Sequence, residues 1–252
     1  MNAPNLIFDV TFLDESMGYT KEILLIDLQK MGFKGITIHH KMLEEVTKTD
    51  EIKKIVAMAQ KLGLKISYVI EDELFKMGRL NKMVPHYLME AKNLGATELI
   101  LTIGDYSPAG LKALRKLDSL AITITVTNDQ AYPSGRLDKI AEFLLAVKVL
   151  PINLGYLFNL GNWRFVGEDE QVAVDMLKEY ITEIFLQDVT YINELPVITT
   201  PDCGFVDWRQ VLRCLPANVD IVLSFPTTSL AEIKKVRDLV LEHNAIPSVE
   251  AS

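Results

Sequence analysis

A barrel of eight β/α units is the fold this sequence predicts, and three observations predict it. Short apolar runs alternate with amphipathic stretches from one end of the chain to the other. Three similar segments, KMGFKGI, KLGLKI and NLGATELI, place Gly32, Gly63 and Gly95 at spacings of 31 and 32 residues, the period of one β/α unit. The length of 252 residues suits a single α/β barrel of about 250 residues. We therefore expect one (β/α)8 TIM-barrel domain over 1–252.

The strands are expected at Leu6–Asp9, Gly35–His39, Lys65–Val69, Glu98–Thr102, Ala121–Thr127, Leu154–Phe158, Ile181–Leu186 and Asp220–Leu223. The helices between them are expected at Thr20–Met31, Asp50–Gly63, Met83–Asn93, Ser107–Leu117, Arg136–Val147, Glu168–Tyr180, Asp207–Cys214 and Ser229–His243. Gly32, Gly63 and Gly95 stand where a glycine past the last turn ends a helix. A loop rich in Pro and Thr fills the gap after strand seven, and the tail after Pro247 reads as loose. An open doubly wound sheet is disfavoured by the count of eight and by the lack of a Gly-rich phosphate loop after strand one.

Composition excludes several classes of function. The apolar share is 49%, yet no run approaches the roughly 20 residues that cross a bilayer. MNAPNLIFD lacks the pattern of a signal peptide. A formal charge of −8 with both signs interspersed argues against nucleic acid and membrane surfaces as partners. Cys203 and Cys214 form no CxxC pair, so two reduced thiols and a cytoplasmic location are expected.

In such a barrel the working site lies at the C-terminal strand ends. Alternation turns Thr123, Thr125 and Thr127 inward on strand five and Ile122, Ile124 and Val126 toward the helices. It also brings in Thr37 and His39, Asn159, Phe185 and Gln187, and Ser224. His39 has the chemistry of an acid–base group near neutral pH, and equally that of a hydrogen-bonded loop histidine. Asp129 is a second catalytic candidate, although NDQ also suits a turn. Asn128, Gln130, Asn159, Asn162, Trp163, Arg164 and Gln187 are the candidate substrate-binding residues. An aromatic face stacks on a sugar ring and a guanidinium grips an anion, while the same Trp163 could simply pack over the barrel.

The segments VTNDQ (126–130), FNLGNWR (158–164), IFLQDV (184–189) and LSFP (223–226) resemble the xylose isomerase-like barrel superfamily of sugar and sugar-phosphate isomerases and epimerases. The nearest likeness is to its 2-ketogluconate-utilisation epimerase branch. The resemblance implies a sugar, keto-sugar-acid or sugar-phosphate isomerase or epimerase, and a partner that is a small sugar or sugar acid. It also implies a divalent metal held from strands five to eight, at positions that fall here on Thr127, Asn159, Phe185 and Ser224. None of these four is a ligand of the family's kind, so no metal and no cofactor is expected. The other reading is a non-catalytic barrel that binds a sugar acid or a protein partner, and the chain is compatible with a homo-oligomer.

Overall fold

The computed structural model describes residues 4–12, 21–42, 48–115, 117, 122–132, 134–150, 152–216 and 218–245. The barrel strands are β1 (Leu6–Asp9), β2 (Gly35–His39), β3 (Lys65–Lys76), β5 (Glu98–Gly104), β6 (Thr123–Thr127), β7 (Leu154–Asn159), β8 (Ile181–Leu186) and β11 (Asp220–Leu223). Each pairs in parallel with the next, and β11 pairs with β1, so the sheet closes. The helices are α1 (Lys21–Lys30), α2 (Lys48–Lys61), α3 (Val84–Asn93), α4 (Pro108–Leu114), α5 (Leu137–Lys148), α6 (Asn162–Phe165), α7 (Glu170–Leu177), α8 (Trp208–Cys214) and α9 (Leu230–Ala245). This is a (β/α)8 TIM barrel, as the alternation predicts. Among the described residues, no helix is long and apolar enough to cross a membrane.

Helix ends follow local chemistry. Ser107 caps α4, Asp169 caps α7 and Asp207 caps α8, each through a side-chain oxygen that accepts a backbone N–H of the first turn. Gly32, Gly63 and Gly95 all take positive φ, which explains why glycine recurs at the period of the unit.

Three elements depart from the sequence expectation. β3 runs on past Val69 to Lys76, with a register shift against β5 between Val69 and Glu73. The irregularity lets the acidic run Glu71–Asp72–Glu73 continue the strand, which turns through Met77–Gly78 into β4 (Arg79–Leu80). The expected loop after β8 contains a hairpin, β9 (Asp188–Ile192) with β10 (Leu195–Thr199). Residues 162–165, expected as a polar turn, form α6. Thr20, Ala121 and the tail after Pro247 lie outside the described residues.

The lumen is layered. Ile7, Val69, Ile100, Leu157, Phe185 and Val222 form a cluster separate from the larger sheet–helix core, to which Ile124 and Val126 belong. The β6 threonines thus face inward as alternation requires, and the buried Thr125 hydroxyl donates to Glu98 Oε1. Toward the N-terminal side of this belt, Glu98 Oε2 also accepts from Ser67 Oγ at 3.1 Å. Glu183 is buried beside Glu98, with Oε2 unpartnered. Gly155 stands between them on β7; a Cβ there would lie 2.5 Å from Thr125 Oγ1, so only glycine leaves this space free. Burial pushes both carboxyls up. The donors on Glu98 hold it lower, while the charge of Glu98 adds to the rise at Glu183. Glu183 is therefore the more strongly raised of the two, the carboxyl of the pair that holds its proton longer as pH rises.

The folded pKa of Glu183 lies above its ordinary value of 4.5, so folding retains a proton that the unfolded chain loses as pH rises past 4.5. Wild-type stability should fall across that rise. Glu183→Gln, whose amide donates at every pH, should melt at nearly the wild-type temperature at pH 4.5. At pH 8 it should be more stable by about 1–3 kcal/mol, about 2–10 °C. Thermal melts at the two pH values check this.

Candidate functional site

The C-terminal ends of β1, β2 and β3 bring together Asp9, His39 and Glu71. Asp9 is the last residue of β1 and shares the inward parity of Ile7; it is wholly buried. Three groups compensate its charge. Thr11 N–H, in the short 3-10 turn Val10–Phe12, donates to Oδ1 at 3.0 Å. Ser224 Oγ donates to Oδ2 at 2.9 Å, and Gln187 Nε2 donates to that same Ser224 hydroxyl at 3.0 Å, which leaves it free to donate onward. His39 Nε2 lies 3.3 Å from Oδ2, a contact of charges without a well-aligned hydrogen bond.

The other ring nitrogen, His39 Nδ1, lies 2.8 Å from Glu71 Oε1. Glu71 Oε2 accepts the Lys41 backbone N–H at 3.3 Å, and Lys41 Nζ is 3.7 Å from Oε1. Burial alone would strip the proton from His39, but Asp9 and Glu71 outweigh it and raise the imidazole to about 9. The charge of His39 in turn overcomes the burial of Asp9 and of Glu71 and lowers both carboxyls. The array at neutral pH is carboxylate–imidazolium–carboxylate. Its buried end is Asp9; its accessible end is Glu71, whose side chain is 41% exposed.

Neither Asp9 nor Glu71 is among the residues expected from sequence. The inward parity of β1, Ile7 then Asp9, is a signal that points to Asp9. Glu71 lies beyond the expected end of strand three and carries no such signal.

The NDQ and GNWR segments are joined to one another. Asn128 is buried; its Oδ1 accepts Asn159 N–H at 2.8 Å and its Nδ2 donates to Asn159 O at 2.9 Å. Asn162 Nδ2 donates to Asn128 O at 2.8 Å, and Gln130 Nε2 donates to Asn162 Oδ1 at 3.0 Å. Asn128, Gln130, Asn159 and Asn162 thus stitch the β6 and β7 ends together.

Trp163 is fully buried against Phe158, with ring centroids 5.4 Å apart, and its Nε1 has no partner. Arg164 pairs with the buried Glu170 at 2.5 Å. Asp129 accepts Gln130 N–H at 2.7 Å and Ser134 Oγ at 2.9 Å, and lines a cavity of about 880 Å³ with Tyr106, Leu111, Ile140 and Val149 beside α4 and α5. No interaction joins Asp129 to His39 among the described residues. Phe185 belongs to the apolar belt, and Gln187 stands at the level of Ser224. Among the described residues, no group of three or more His, Cys, Asp or Glu is arranged to hold a metal ion.

No family model and no curated protein matches this chain. Solved structures match along almost the whole length. A xylose isomerase domain-containing protein from Salmonella typhimurium LT2 superposes with a TM-score of 0.67 at 15% identity, covering 96% of this chain and 98% of that one. L-ribulose 3-epimerase gives 0.66 at 14%, with 96% of each chain covered. D-psicose 3-epimerase from Clostridium cellulolyticum H10 gives 0.63 at 10%, covering 95% and 98%. The chain thus has the fold of xylose isomerase-like sugar isomerases and epimerases, and at these identities the likeness extends to the fold alone.

Two outcomes follow from this geometry. The His39 pKa is raised from 6.5 to about 9, so the stabilisation from its ion pairs is fully present below pH 6.5 and lost as pH rises through about 9. The melting-temperature gap between wild type and Asp9→Asn should therefore be wide at pH 6 and should narrow by pH 10. Arg164→Ala should cost about 1–3 kcal/mol, a figure discounted for the 30% exposure of Arg164, because Glu170 is left buried and unpaired. Adding Glu170→Gln to that variant should recover part of the loss in a denaturant titration.

Proposed function

We propose that this barrel moves a proton on a hydroxylated carbonyl compound, a sugar or keto-sugar acid, without a divalent ion. The observation that carries this reading is the Asp9–His39–Glu71 array at the strand ends. Proton transfer beside a carbonyl needs a base that substrate can reach and a cation or donor for the developing oxyanion. Glu71 is the accessible base. Its Oε1 is engaged by His39, and Oε2 takes the proton from the carbon next to the carbonyl. His39, kept cationic by Asp9, offsets the charge that builds on the substrate oxygen.

Glu71, the accessible carboxylate of the array, returns the proton to the neighbouring carbon, while the hydroxyl proton passes from one substrate oxygen to the other. This makes an aldose–ketose type of isomerisation the better fit; epimerisation needs a second acid on the opposite face. Two carboxylates around His39 also favour an uncharged sugar over a keto-sugar acid, and either over a phosphate ester.

The residues at the metal positions of the resembling family support the metal-free part of the reading. Thr127, Asn159 and Ser224 are uncharged. Phe185 is apolar, and Gln187, two residues on along the same face, donates to the Ser224 hydroxyl, which donates to Asp9. A hard divalent cation gives up its water for anionic oxygens, and Asp9 is already compensated. This donor set does not fit such an ion, and no step here passes through one. The roles assigned from sequence to Asn128, Gln130, Asn159, Asn162 and Gln187 become the support of the mouth in this reading. Asp129 has no part in it.

A second reading has its own observation. Arg164, the cation of the GNWR segment, is held by Glu170, so the mouth lacks a guanidinium for an oxyanion. A barrel that binds a sugar acid without turnover accords with that. The test is incubation with aldoses, ketoses and keto-sugar acids in D2O with excess EDTA, followed by proton NMR. Deuterium should enter beside the carbonyl of at least one substrate, and Glu71→Gln and His39→Asn should each slow this by about 10²–10⁴-fold. A thermal shift with no deuterium uptake supports the binding reading. Uptake that EDTA abolishes refutes the metal-free mechanism.

A further inference from the structure

We propose that the cavity between α4 and α5 is a binding site for an amphipathic amine, a molecule with an apolar body and one ammonium end. The cavity measures about 880 Å³, inside the range of about 300–1,000 Å³ usual for small-molecule sites. None of Asp9, His39 and Glu71 lines it, so its occupancy is independent of the array. The fold holds the space open. Neighbouring helices commonly close such a gap by packing at about 8–10 Å. Here α4 is tied on its far side to the turn between β3 and β4. Ser107 Oγ donates to Gly78 O at 2.6 Å, and a Cβ on Gly110 would lie 2.6 Å from that same carbonyl oxygen. On the near side Tyr106 stands edge-on to Phe143 of α5, with ring centroids 5.1 Å apart, and braces the gap.

The walls between the helices are apolar. Ile103, Leu111 and Ile140 are buried core residues, and Ala146, Val149 and Leu150 continue them along α5 and past its end. The charges are sorted by end. Glu73, Asp105 and Asp129 line the end nearest the C-terminal ends of β3, β5 and β6. Asp129 accepts only from neutral donors, Gln130 N–H and Ser134 Oγ. None of these three carboxylates has an ion-pair partner among the described residues. Lys139 is paired with Glu142 at 3.2 Å. Lys112, in the last turn of α4, and Arg115, just past it, belong to the other end.

This arrangement selects the head group. Glu73 and Asp129 are half-buried, whereas Lys112 and Arg115 are both exposed. A charge pair gains more where water is partly excluded, so a cation at the carboxylate end is held more strongly than an anion at the lysine end. A neutral head leaves the three carboxylates uncompensated. Lys112 and Arg115 turn an ammonium away from the far end, so one orientation is favoured. The formal charge of −8 draws the same cation toward the chain as a whole. Asp129, which has no part in the array, has a use here.

Titration calorimetry of the full chain with octylamine, octan-1-ol and octanoate, which share one tail and differ in head group, tests this. Octylamine should bind once per chain with a Kd of about 1 mM or below, at least about tenfold more tightly than octan-1-ol, and octanoate should be the weakest. Asp105→Asn, at an exposed position, should weaken octylamine by about threefold or more and leave octan-1-ol unchanged. Ala146→Trp, which fills the apolar part, should weaken octylamine by about tenfold or more while circular dichroism stays unchanged. No octylamine binding up to about 10 mM overturns the proposal. So does octan-1-ol or octanoate binding as tightly as octylamine, or octylamine binding that Asp105→Asn leaves unchanged.

Discussion

A carboxylate removed from water at the end of β1 is the constraint on which the mouth of this barrel depends. Burying an ion costs several kcal/mol even after relaxation, so Asp9 exists as a charge only because its surroundings compensate it. A backbone N–H arrives from the turn at Thr11, a hydroxyl from β11 and an imidazolium from β2. Each donor is itself directed. Gln187 on the loop after β8 donates to Ser224, and Glu71 on β3 accepts from His39. The polar groups of five adjacent barrel strands, from β8 round to β3, thereby settle into one orientation.

The apolar belt gives this charge its isolation. It separates the Asp9–His39–Glu71 array from the second buried acid pair, Glu98 and Glu183. The two ends of the lumen answer the same problem differently. At the mouth, a cation neutralises the carboxylate and both stay charged. On the other side of the belt Lys65 is paired with Asp220 at 3.5 Å, and burial together with the charges of Glu98 and Asp220 outweighs it and raises the Glu183 carboxyl. The first solution leaves ionised groups at the partly exposed Glu71; the second stays inside the barrel.

The fold was legible because its signals are local and repeated. A glycine past each of three helices and an inward row of threonines on β6 each follow from backbone geometry within a few residues. The direction of His39 was legible for the same reason. Its partners were not: Asp9 and Glu71 lie 30 and 32 residues away along the chain, and only strand pairing brings them together. The acidic run 71–73 lies beyond Val69, where strand three was expected to end, and the register shift that lets the strand continue has no local signature. The NDQ and GNWR segments were marked as candidate substrate-binding residues, and no signal in the sequence joined one to the other. Their partners turned out to be each other's backbone and side chains, as the pair of hydrogen bonds between the Asn128 amide and the Asn159 backbone shows.

The central claim is that Asp9 and Glu71 keep His39 charged at the mouth. The ring nitrogens of His39, followed by 15N-labelled NMR from pH 5 to 10.5 and assigned with His39→Asn, report this directly. Titration with a midpoint near 9 in wild type, falling toward the ordinary 6.5 in Asp9→Asn, is the result the structure predicts. A midpoint at or below 6.5 in the wild-type protein would contradict it, because the array would then be neutral at His39 under the conditions in which it has to act.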